Sequence, residues 1–168
     1  MPGAAHDPEQ ATRAVLDRLG LPYEVIPIDP AFADTAAFCE RYGYPADRAG
    51  NTIIVASKKE PKQYAACVVL ATTRLDVNHA VRDLMGVSKL SFASAEEMAE
   101  LTGMAMGGVT ALGLPGHVPL FVDERLMALD WVILGTGGRH GKIKISPEVF
   151  SRLPNTRVVR GLALARES

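Results

Sequence analysis

The order of apolar and polar positions predicts a helix, a strand and a second helix at the start of the chain. The first helix is predicted over residues 8–19, because Asp7 is a suitable N-cap, a proline occupies the first turn, and Gly20 is typical of a helix end. PYEVIPI, residues 22–28, alternates as a half-buried strand does. A short helix over residues 34–43 follows, with an aspartate at its start and a glycine at its end.

A hairpin and two more helices are predicted in the middle of the chain. NTIIVAS at 51–57 and QYAACVVLA at 63–71 are strand-like runs, and the polar, proline-containing KKEPK between them suits a hairpin connection. One helix is predicted between residues 76 and 86. Another is predicted between residues 94 and 103, because its first serine is followed three residues later by a glutamate, as in a capping box.

The second half of the chain is predicted to consist mostly of strands. Strands and helices alternate irregularly and one hairpin interrupts the crossovers, which indicates a mixed sheet in an α/β fold of the α+β type. No repeat or linker divides the sequence, so a single domain over residues 1–168 is predicted. The remaining elements are the strands HVPLFV (117–122), WVILG (131–135), KIKI (142–145) and RVVRGLAL (157–164), and a helix opened by SPEVF (146–150).

Composition narrows the class of protein. With 168 residues and 48% hydrophobic composition, the chain is long enough to bury a core. No run approaches the roughly 20 apolar residues that span a bilayer, and the first ten residues lack the basic and apolar regions of a signal peptide. Cys39 and Cys67 are expected to be small core residues rather than a disulfide. We therefore expect a soluble, cytoplasmic protein with no membrane partner.

The charge is unevenly distributed. A net charge of −1 argues against indiscriminate binding to nucleic acid, and no DNA partner is predicted. Residues 91–130 contain six acidic residues and one basic residue, whereas residues 131–168 contain seven Lys or Arg and two acidic residues. These later charges are either scattered over a solvated surface, which composition alone favours, or gathered into a local basic face.

The glycine cluster GTGGRHGK at 135–142 does not match a phosphate-binding loop. A dinucleotide fingerprint requires a glycine where His140 stands. A P-loop requires a glycine where Thr136 stands and Ser or Thr where Ile143 stands. Neither spacing is present, so no nucleotide cofactor is predicted.

Metal and nucleophile motifs are also missing from the sequence. His6, His79, His117 and His140 have no metal-ligand spacing with cysteines or carboxylates, so each is predicted to be a surface or loop residue. No Gly-x-Ser-x-Gly nucleophile elbow occurs. We therefore predict no metal and no cofactor.

Two glycine-rich loops remain, GGVTALG at 107–113 and GTGG at 135–138, each beside a predicted strand. One interpretation is that both are tight turns in which glycine supplies positive φ. The other is that they form one pocket, in which glycines let the backbone approach a ligand and N–H groups hold a carbonyl or oxyanion. The loops alone favour the first interpretation.

Five segments in order resemble the YbaK and prolyl-tRNA-synthetase-associated domain family. The central segment is the most specific, because aspartate, a helix, Gly-Val-x-Lys, a second helix, Thr-Gly and Gly-Gly-Val-x-x-x-Gly have the family's order and spacing. The resemblance covers nearly the whole chain. The segments are LGLPYEVIPID, NTIIVAS, RLDVNHAVRDLMGVSKLSFASAEEMAELTGMAMGGVTALGL, PLFVDERLMALDWVILGTGG and KIKISPE.

The resemblance implies a compact fold with a curved, barrel-like mixed sheet flanked by helices, and a free-standing editing activity. Members of the family hydrolyse the ester between a wrong amino acid and its tRNA, without a cofactor. The implied pocket lies between the two glycine loops and the strand start at residue 51, with the 3′-terminal ribose at its mouth. Loop amides would hold the aminoacyl group, and a ribose hydroxyl would assist the attacking water.

The resemblance also transfers roles to individual positions. Thr110 and Ala111 replace the serine and proline of the family's first glycine loop, Tyr23 falls on a pocket tyrosine of several members, and Thr52 matches a threonine at the strand start. The implied partners are aminoacyl-tRNA and an aminoacyl-tRNA synthetase. The candidate residues are Asn51, Gly108 and Thr110 for catalysis, Tyr23, Thr52, Gly107, Gly135, Gly137 and Gly138 for substrate binding, and Arg139 and Lys142 for contact with tRNA.

Asn51 departs from the family, which has a lysine at this position. Asparagine offers a neutral amide in place of a full positive charge. Lys58 and Lys59 would lie about 20 Å further along the strand, so they cannot substitute for that lysine. Lys142 or Lys144 could approach from a neighbouring predicted strand. Three functions stay open. The leading one is a deacylase with altered chemistry. The others are a non-catalytic module that binds an aminoacyl-tRNA end or a small acyl ligand, and a structural partner of a synthetase.

Overall fold

The computed structural model describes residues 7–166. Helix α1 (Pro8–Leu19) agrees with the predicted bounds. The Asp7 side chain accepts hydrogen bonds from the backbone N–H groups of Glu9 and Gln10, and Gly20 ends the helix with φ of 72°. His6 lies outside the described residues, as does most of the N-terminal stretch in which no signal peptide was recognised.

Four shorter α-helices follow. Asp34 and Asp76 occupy the predicted N-cap positions, before α2 (Thr35–Tyr42) and before the π-helical turn Val77–Val81, but neither makes a side-chain capping hydrogen bond. The capping box at Ser94 and Glu97 is confirmed. The segment SPEVF opens a 3₁₀ helix, Pro147–Arg152, rather than an α-helix. The four helices are α2 (Thr35–Tyr42), α3 (Arg82–Met85), α4 (Ala95–Thr102) and α5 (Glu124–Met127).

The strands of residues 7–166 form three sheets, and the predicted mixed α/β class is confirmed. The strands are β1 (Tyr23–Pro27), β2 (Gly50–Ser57), β3 (Tyr64–Leu70), β4 (Thr73–Leu75), β5 (Leu90–Phe92), β6 (Leu120–Asp123), β7 (Val132–Gly135), β8 (Gly141–Ile145), β9 (Thr156–Val159) and β10 (Ala163–Ala165). The largest sheet has five strands in the order β5-β2-β3-β6-β9, the second has the order β1-β8-β7, and the third pairs β10 with β4.

The single barrel-like sheet that the resemblance implied is not seen within residues 7–166, where the strands form separate sheets. The two larger sheets meet at a parallel bridge between Ala49 and Ile133. The predicted strand RVVRGLAL is two strands, β9 and β10, because the chain turns at Gly161 with φ of 77°. Both strands of the predicted hairpin are correct, and β2 and β3 pair antiparallel from Gly50–Leu70 to Ala56–Tyr64.

The five-stranded sheet is covered on both faces, which explains the almost continuous apolar sequence of β3. Residues 65–70 are all buried, as expected for a central strand with a core on each side. One core contains Leu16 of α1 and Phe150. The other contains Val81 and Leu162. A third, smaller cluster packs Phe38 of α2 against Ile133 of β7, next to the junction of the two sheets.

Candidate functional site

A cavity of about 340 Å³ lies at the junction of the two larger sheets, where β2 begins. This volume falls in the range of small-molecule sites. Strand starts, helix α2 and both glycine loops contribute to its wall. The lining residues are Thr35, Phe38, Ala49, Gly50, Asn51, Thr52, Ile53, Ile54, Phe92, Ala93, Met98, Met106, Gly107, Val109, Ile133, Leu134, Gly135 and Lys142.

Two polar residues at the start of β2, Asn51 and Thr52, line this cavity. The Thr35 hydroxyl donates to Oδ1 of Asn51 at 2.5 Å, which ties helix α2 to the strand and fixes the amide. Oγ1 of Thr52 is buried and has no hydrogen-bond partner within residues 7–166. Buried polar groups are normally paired with protein or water, so this hydroxyl is an exception among the residues that line the cavity.

Lys142 on β8 places an amine in the same cavity. Its side chain is 3% exposed, and Nζ donates to the carbonyl oxygen of Gly107 at 3.0 Å and lies 5.8 Å from the centre of the Phe38 ring. Burial lowers the pKa of this lysine from its ordinary value of 10.5 to about 8, against an attraction from Asp34 that raises it. The amine therefore titrates much closer to neutrality than a surface lysine does.

The two glycine loops pack directly against each other, backbone on backbone. The N–H of Gly137 donates to the carbonyl of Gly108 at 2.6 Å, and the N–H of Ala105 donates to the carbonyl of Gly137 at 2.9 Å. A Cβ atom on Gly108 would lie 1.9 Å from the carbonyl oxygen of Gly138, and one on Gly135 would lie 2.6 Å from that of Gly108. These glycines are therefore required for loop–loop contact.

The predicted site residues are only partly brought together. Of the candidates, the structure places Asn51, Thr52, Gly107, Gly135 and Lys142 on the cavity wall. The remaining ones, Tyr23, Gly108, Thr110, Gly137, Gly138 and Arg139, do not line it.

Each of the non-lining candidates has a structural contact of its own. The Gly108 N–H donates to the carbonyl of Ala105 at 3.0 Å, so it is not a free donor for an oxyanion. Thr110 is fully buried, and its Oγ1 accepts from the Leu112 N–H. The Tyr23 hydroxyl donates to Asp17 at 2.7 Å, away from the cavity.

The two predicted tRNA contacts are not a solvated basic face. Lys142 is buried, as described above, which is inconsistent with a contact to surface phosphates. Arg139 is partly exposed, but its guanidinium donates to the carbonyls of Met106 at 2.5 Å and Pro30 at 2.9 Å and lies 3.5 Å from Asp34. Arg139 thus holds the two glycine loops to the segment before α2.

Several lining residues could not be identified from sequence. Thr35 and Phe38 reach the cavity from α2, and Phe92 from β5. None belongs to a spaced motif, and only the packing of α2 on the sheet brings the first two to Asn51. Phe92 and Met106 are unusual for large apolar residues, because they are 62% and 59% exposed at the cavity.

The described histidines agree with the prediction of surface positions, since His79, His117 and His140 are all exposed. Within residues 7–166 no group of three or more His, Cys, Asp or Glu side chains is arranged to hold a metal ion. In the same span, no helix has the length and apolar character needed to cross a bilayer.

The sequence of this chain was compared with those of known protein families. Residues 29–153 match the aminoacyl-tRNA editing domain family. The match covers most of the chain and includes every residue that lines the cavity. The protein belongs to the aminoacyl-tRNA editing domain family, as its resemblance predicted.

Solved structures agree on the fold. One, described only as a hypothetical protein, aligns over 92% of this chain and 99% of its own with a TM-score of 0.81 and 23% identity. Another, provisionally described as a trans-editing enzyme for prolyl-tRNA synthetase, aligns over 98% of this chain and 100% of its own with a TM-score of 0.78 and 20% identity. At such identities the likeness concerns the fold alone.

Proposed function

We propose that this protein is a trans-editing aminoacyl-tRNA deacylase. In the proposed reaction the oxygen of a water molecule bonds to the ester carbonyl carbon, and the bond from that carbon to the ribose oxygen breaks. The ribose oxygen takes a proton that the attacking water gives up, so that free tRNA and free amino acid leave. The reaction takes place in the cytoplasm, where the chain would meet aminoacyl-tRNA and the synthetases that charge it.

The observation that carries the proposal is that three residues with incompletely hydrogen-bonded polar side chains line one cavity of the editing-domain fold. The Thr52 hydroxyl has no partner within residues 7–166, and in the same span the Asn51 amide makes one hydrogen bond, to Thr35 through its oxygen. Lys142 contributes the third group. A cavity with a few converging polar groups on apolar walls is the usual form of a small-ligand site.

The cavity walls support an uncharged amino acid as the preferred substrate. Apart from the three polar groups and Thr35, the lining side chains are apolar or glycine, and they include Phe38, Ile54, Met98 and Leu134. None of the lining residues is acidic, so a lysyl or arginyl side chain would lose its hydration without gaining a counter-ion.

The residues at the cavity mouth support the binding of a nucleic-acid end there. Phe92 and Met106 are large, apolar and more than half exposed at the cavity. Exposed aromatic rings are common stacking platforms for single-stranded bases, because every base has a π-face. We therefore place the 3′-terminal base of tRNA against Phe92, with the ester deeper in the cavity.

The experiment is deacylation of a full panel of mischarged tRNAs, followed by the loss of labelled amino acid from tRNA. We expect at least one substrate with an uncharged side chain to be hydrolysed above the rate without enzyme. Asn51→Ala should lower kcat/KM by about tenfold, as expected for one lost hydrogen bond to a polarised group. Asn78→Ala, the same change at an exposed position away from the cavity, is the matched control.

Two outcomes would contradict the proposal. If no member of the panel is hydrolysed above background, the deacylase assignment fails. If, in addition, an aminoacyl-tRNA binds and Asn51→Ala weakens this binding, the protein is a non-catalytic binding module. The loop geometry favours this second candidate in one respect, since the Gly108 and Gly137 N–H groups are already used inside the protein.

A further inference from the structure

A buried lysine without an anionic partner is the least expected feature of the cavity. The Lys142 side chain is 3% exposed, and its one hydrogen bond among residues 7–166 is to the carbonyl of Gly107. A lysine ammonium has three N–H donors. Two of them are therefore not used by the described part of the protein.

No carboxylate in the described chain forms a salt bridge with Lys142. A buried charge is normally paired, because removal from water costs several kcal/mol per ion. Within residues 7–166, Lys142 has only the Gly107 carbonyl and the face of the Phe38 ring as close partners, and neither is an anion. Strongly perturbed groups of this kind in a cavity are candidates for a functional role.

The charged and titratable groups around Lys142 belong to three segments. Asp34, just before α2, attracts the ammonium, and Arg139 in the loop before β8 repels it. Cys39 on α2 also favours the ammonium when it is ionised, but burial raises the pKa of this thiol. The carboxylate of Asp34 is shared with Arg139 at 3.5 Å, so it does not neutralise Lys142 alone.

We propose that the ammonium of Lys142 is a catalytic group that stabilises the negative charge on the ester carbonyl oxygen during hydrolysis. This inference rests on the proposed deacylase function. When water bonds to the carbonyl carbon, the carbonyl π electrons move to the oxygen, and the two unused N–H donors of Lys142 hold it. When the bond to the ribose oxygen breaks, the charge leaves that oxygen again, and Lys142 neither gains nor loses a proton.

This role suits the position of the amine. Lys142 lines the same cavity as Asn51 and Thr52, which stand at the start of β2. A preorganised donor in a water-poor site stabilises developing charge more than water does. Asn51 is neutral, and none of the other lining residues is a cation.

The first test compares two lysines of β8. Lys142→Met removes the ammonium but keeps an unbranched side chain, and Lys144→Met makes the same change at a partly exposed amine that lies 4.6 Å from the Trp131 ring. We expect Lys142→Met to lower kcat by about 100-fold, the usual effect of losing an oxyanion donor. KM should change little, because the interaction forms in the transition state. Lys144→Met should change kcat less than about twofold.

The second test uses the pH profile to identify the acting form of Lys142. The wild-type rate above the enzyme-free rate should fall as the pH rises through about 8, where the ammonium is lost. In Lys142→Arg the charge persists beyond about pH 12, so residual activity should not show this fall. A wild-type rate that rises through the same range, together with an inactive Lys142→Arg, would identify a free amine as general base and overturn the proposal.

The outcomes separate this inference from the function on which it rests. Wild-type deacylation with an unchanged rate in Lys142→Met overturns the role of Lys142 and leaves the deacylase intact. No wild-type deacylation across the panel overturns both. Circular dichroism and melting curves of each variant establish that a lost rate is not lost folding.

Discussion

At the scale of a residue, the buried charge of Lys142 lowers the stability of the folded protein. Its ammonium is buried against Phe38 and the Gly107 carbonyl, and folding lowers its pKa from 10.5 to about 8. The unfolded chain therefore holds this proton more tightly than the folded chain does. The resulting cost is present in full below about pH 8 and decreases as the pH rises from about 8 to 10.5.

We expect Lys142→Met to stabilise the protein. At pH values below about 8 the melting temperature should rise, on the order of 5 °C, because a buried charge is removed. The difference from wild type should shrink between about pH 8 and 10.5, where the wild-type lysine becomes neutral. Thermal melts of wild type, Lys142→Met and Lys144→Met across this range measure it. A variant that is less stable at low pH, or a difference independent of pH, would contradict it.

Sequence could place Asn51 in a pocket but could not distinguish Lys142 from Lys144. Asn51 begins a strong strand pattern, and the family resemblance gives its register. Lys142 and Lys144 are two residues apart on β8, so the alternation of a strand assigns both to one face. Only the tertiary arrangement separates them, because α2 and the first glycine loop cover Lys142 while Lys144 lies on Trp131.

At the scale of elements, the glycine loops act as a single unit. Their contact depends on the absence of side chains at Gly108 and Gly135. From sequence, the glycines were expected either to form turns or to let the backbone approach a ligand. Both interpretations apply in part, since Gly107 has φ of 80° and lines the cavity. The main reason for Gly108 is a third one, the close approach of one loop to the other.

The expected result of Gly108→Ala is therefore a loss of stability, with loss of the cavity as a consequence. The added methyl group would meet the Gly138 carbonyl at 1.9 Å, and overpacking of this kind costs about 1–3 kcal/mol. Gly116→Ala is the matched control, because a Cβ there meets nothing within 4 Å. Chemical denaturation measures both variants. Equal stability of Gly108→Ala and Gly116→Ala would show that the loops separate at little cost.

The elements that the sequence predicted well are helices with capping residues at their ends and strands with long apolar runs. Helix α1 has Asp7 and Gly20 at its ends, and the β2–β3 hairpin has two long apolar runs. Strands β4 and β5 have three residues each, too few for a periodic pattern to be recognised. Their positions depend on tertiary pairing with β10 and β2.

At the scale of the whole molecule, the distribution of charge differs from its distribution along the sequence. The basic excess after residue 130 includes Lys142, which is buried, and Arg139, whose donors are on carbonyls. Arg157 lies on β9, at one edge of the five-stranded sheet, and β5 lies at the opposite edge. Four strand spacings separate these edges by roughly 19 Å.

Two lysines lie beside the start of β5, the strand whose last residue, Phe92, lines the cavity. Lys89 precedes β5, which ends at Phe92, and the Lys58 backbone N–H donates to the Lys89 carbonyl at 3.2 Å. Both lysines are exposed. We expect them to contact phosphates next to the 3′ end of tRNA.

Salt dependence of tRNA binding tests this expectation. Lys58→Glu with Lys89→Glu should lower the slope of log K against log salt by about 1–2, since each phosphate contact contributes close to one. Arg157→Glu with Arg160→Glu reverses two charges at the β9 end of the sheet and should leave the slope unchanged. Binding titrations at several salt concentrations measure it. Equal effects of the two pairs would mean that overall charge, rather than the β5 edge, governs binding.

The contacts made by Arg139 have a practical consequence for finding the natural ligand. Its guanidinium donates to the carbonyls of Pro30 and Met106, and the Gly137–Gly108 hydrogen bond joins the two glycine loops. The cavity wall therefore consists of segments that are far apart in sequence. These segments must separate when the chain unfolds. A compound that occupies the cavity therefore stabilises the folded state by mass action. Screening amino acids, adenosine esters and short CCA-ended oligonucleotides by thermal shift can thus rank candidate ligands before any mischarged tRNA is prepared.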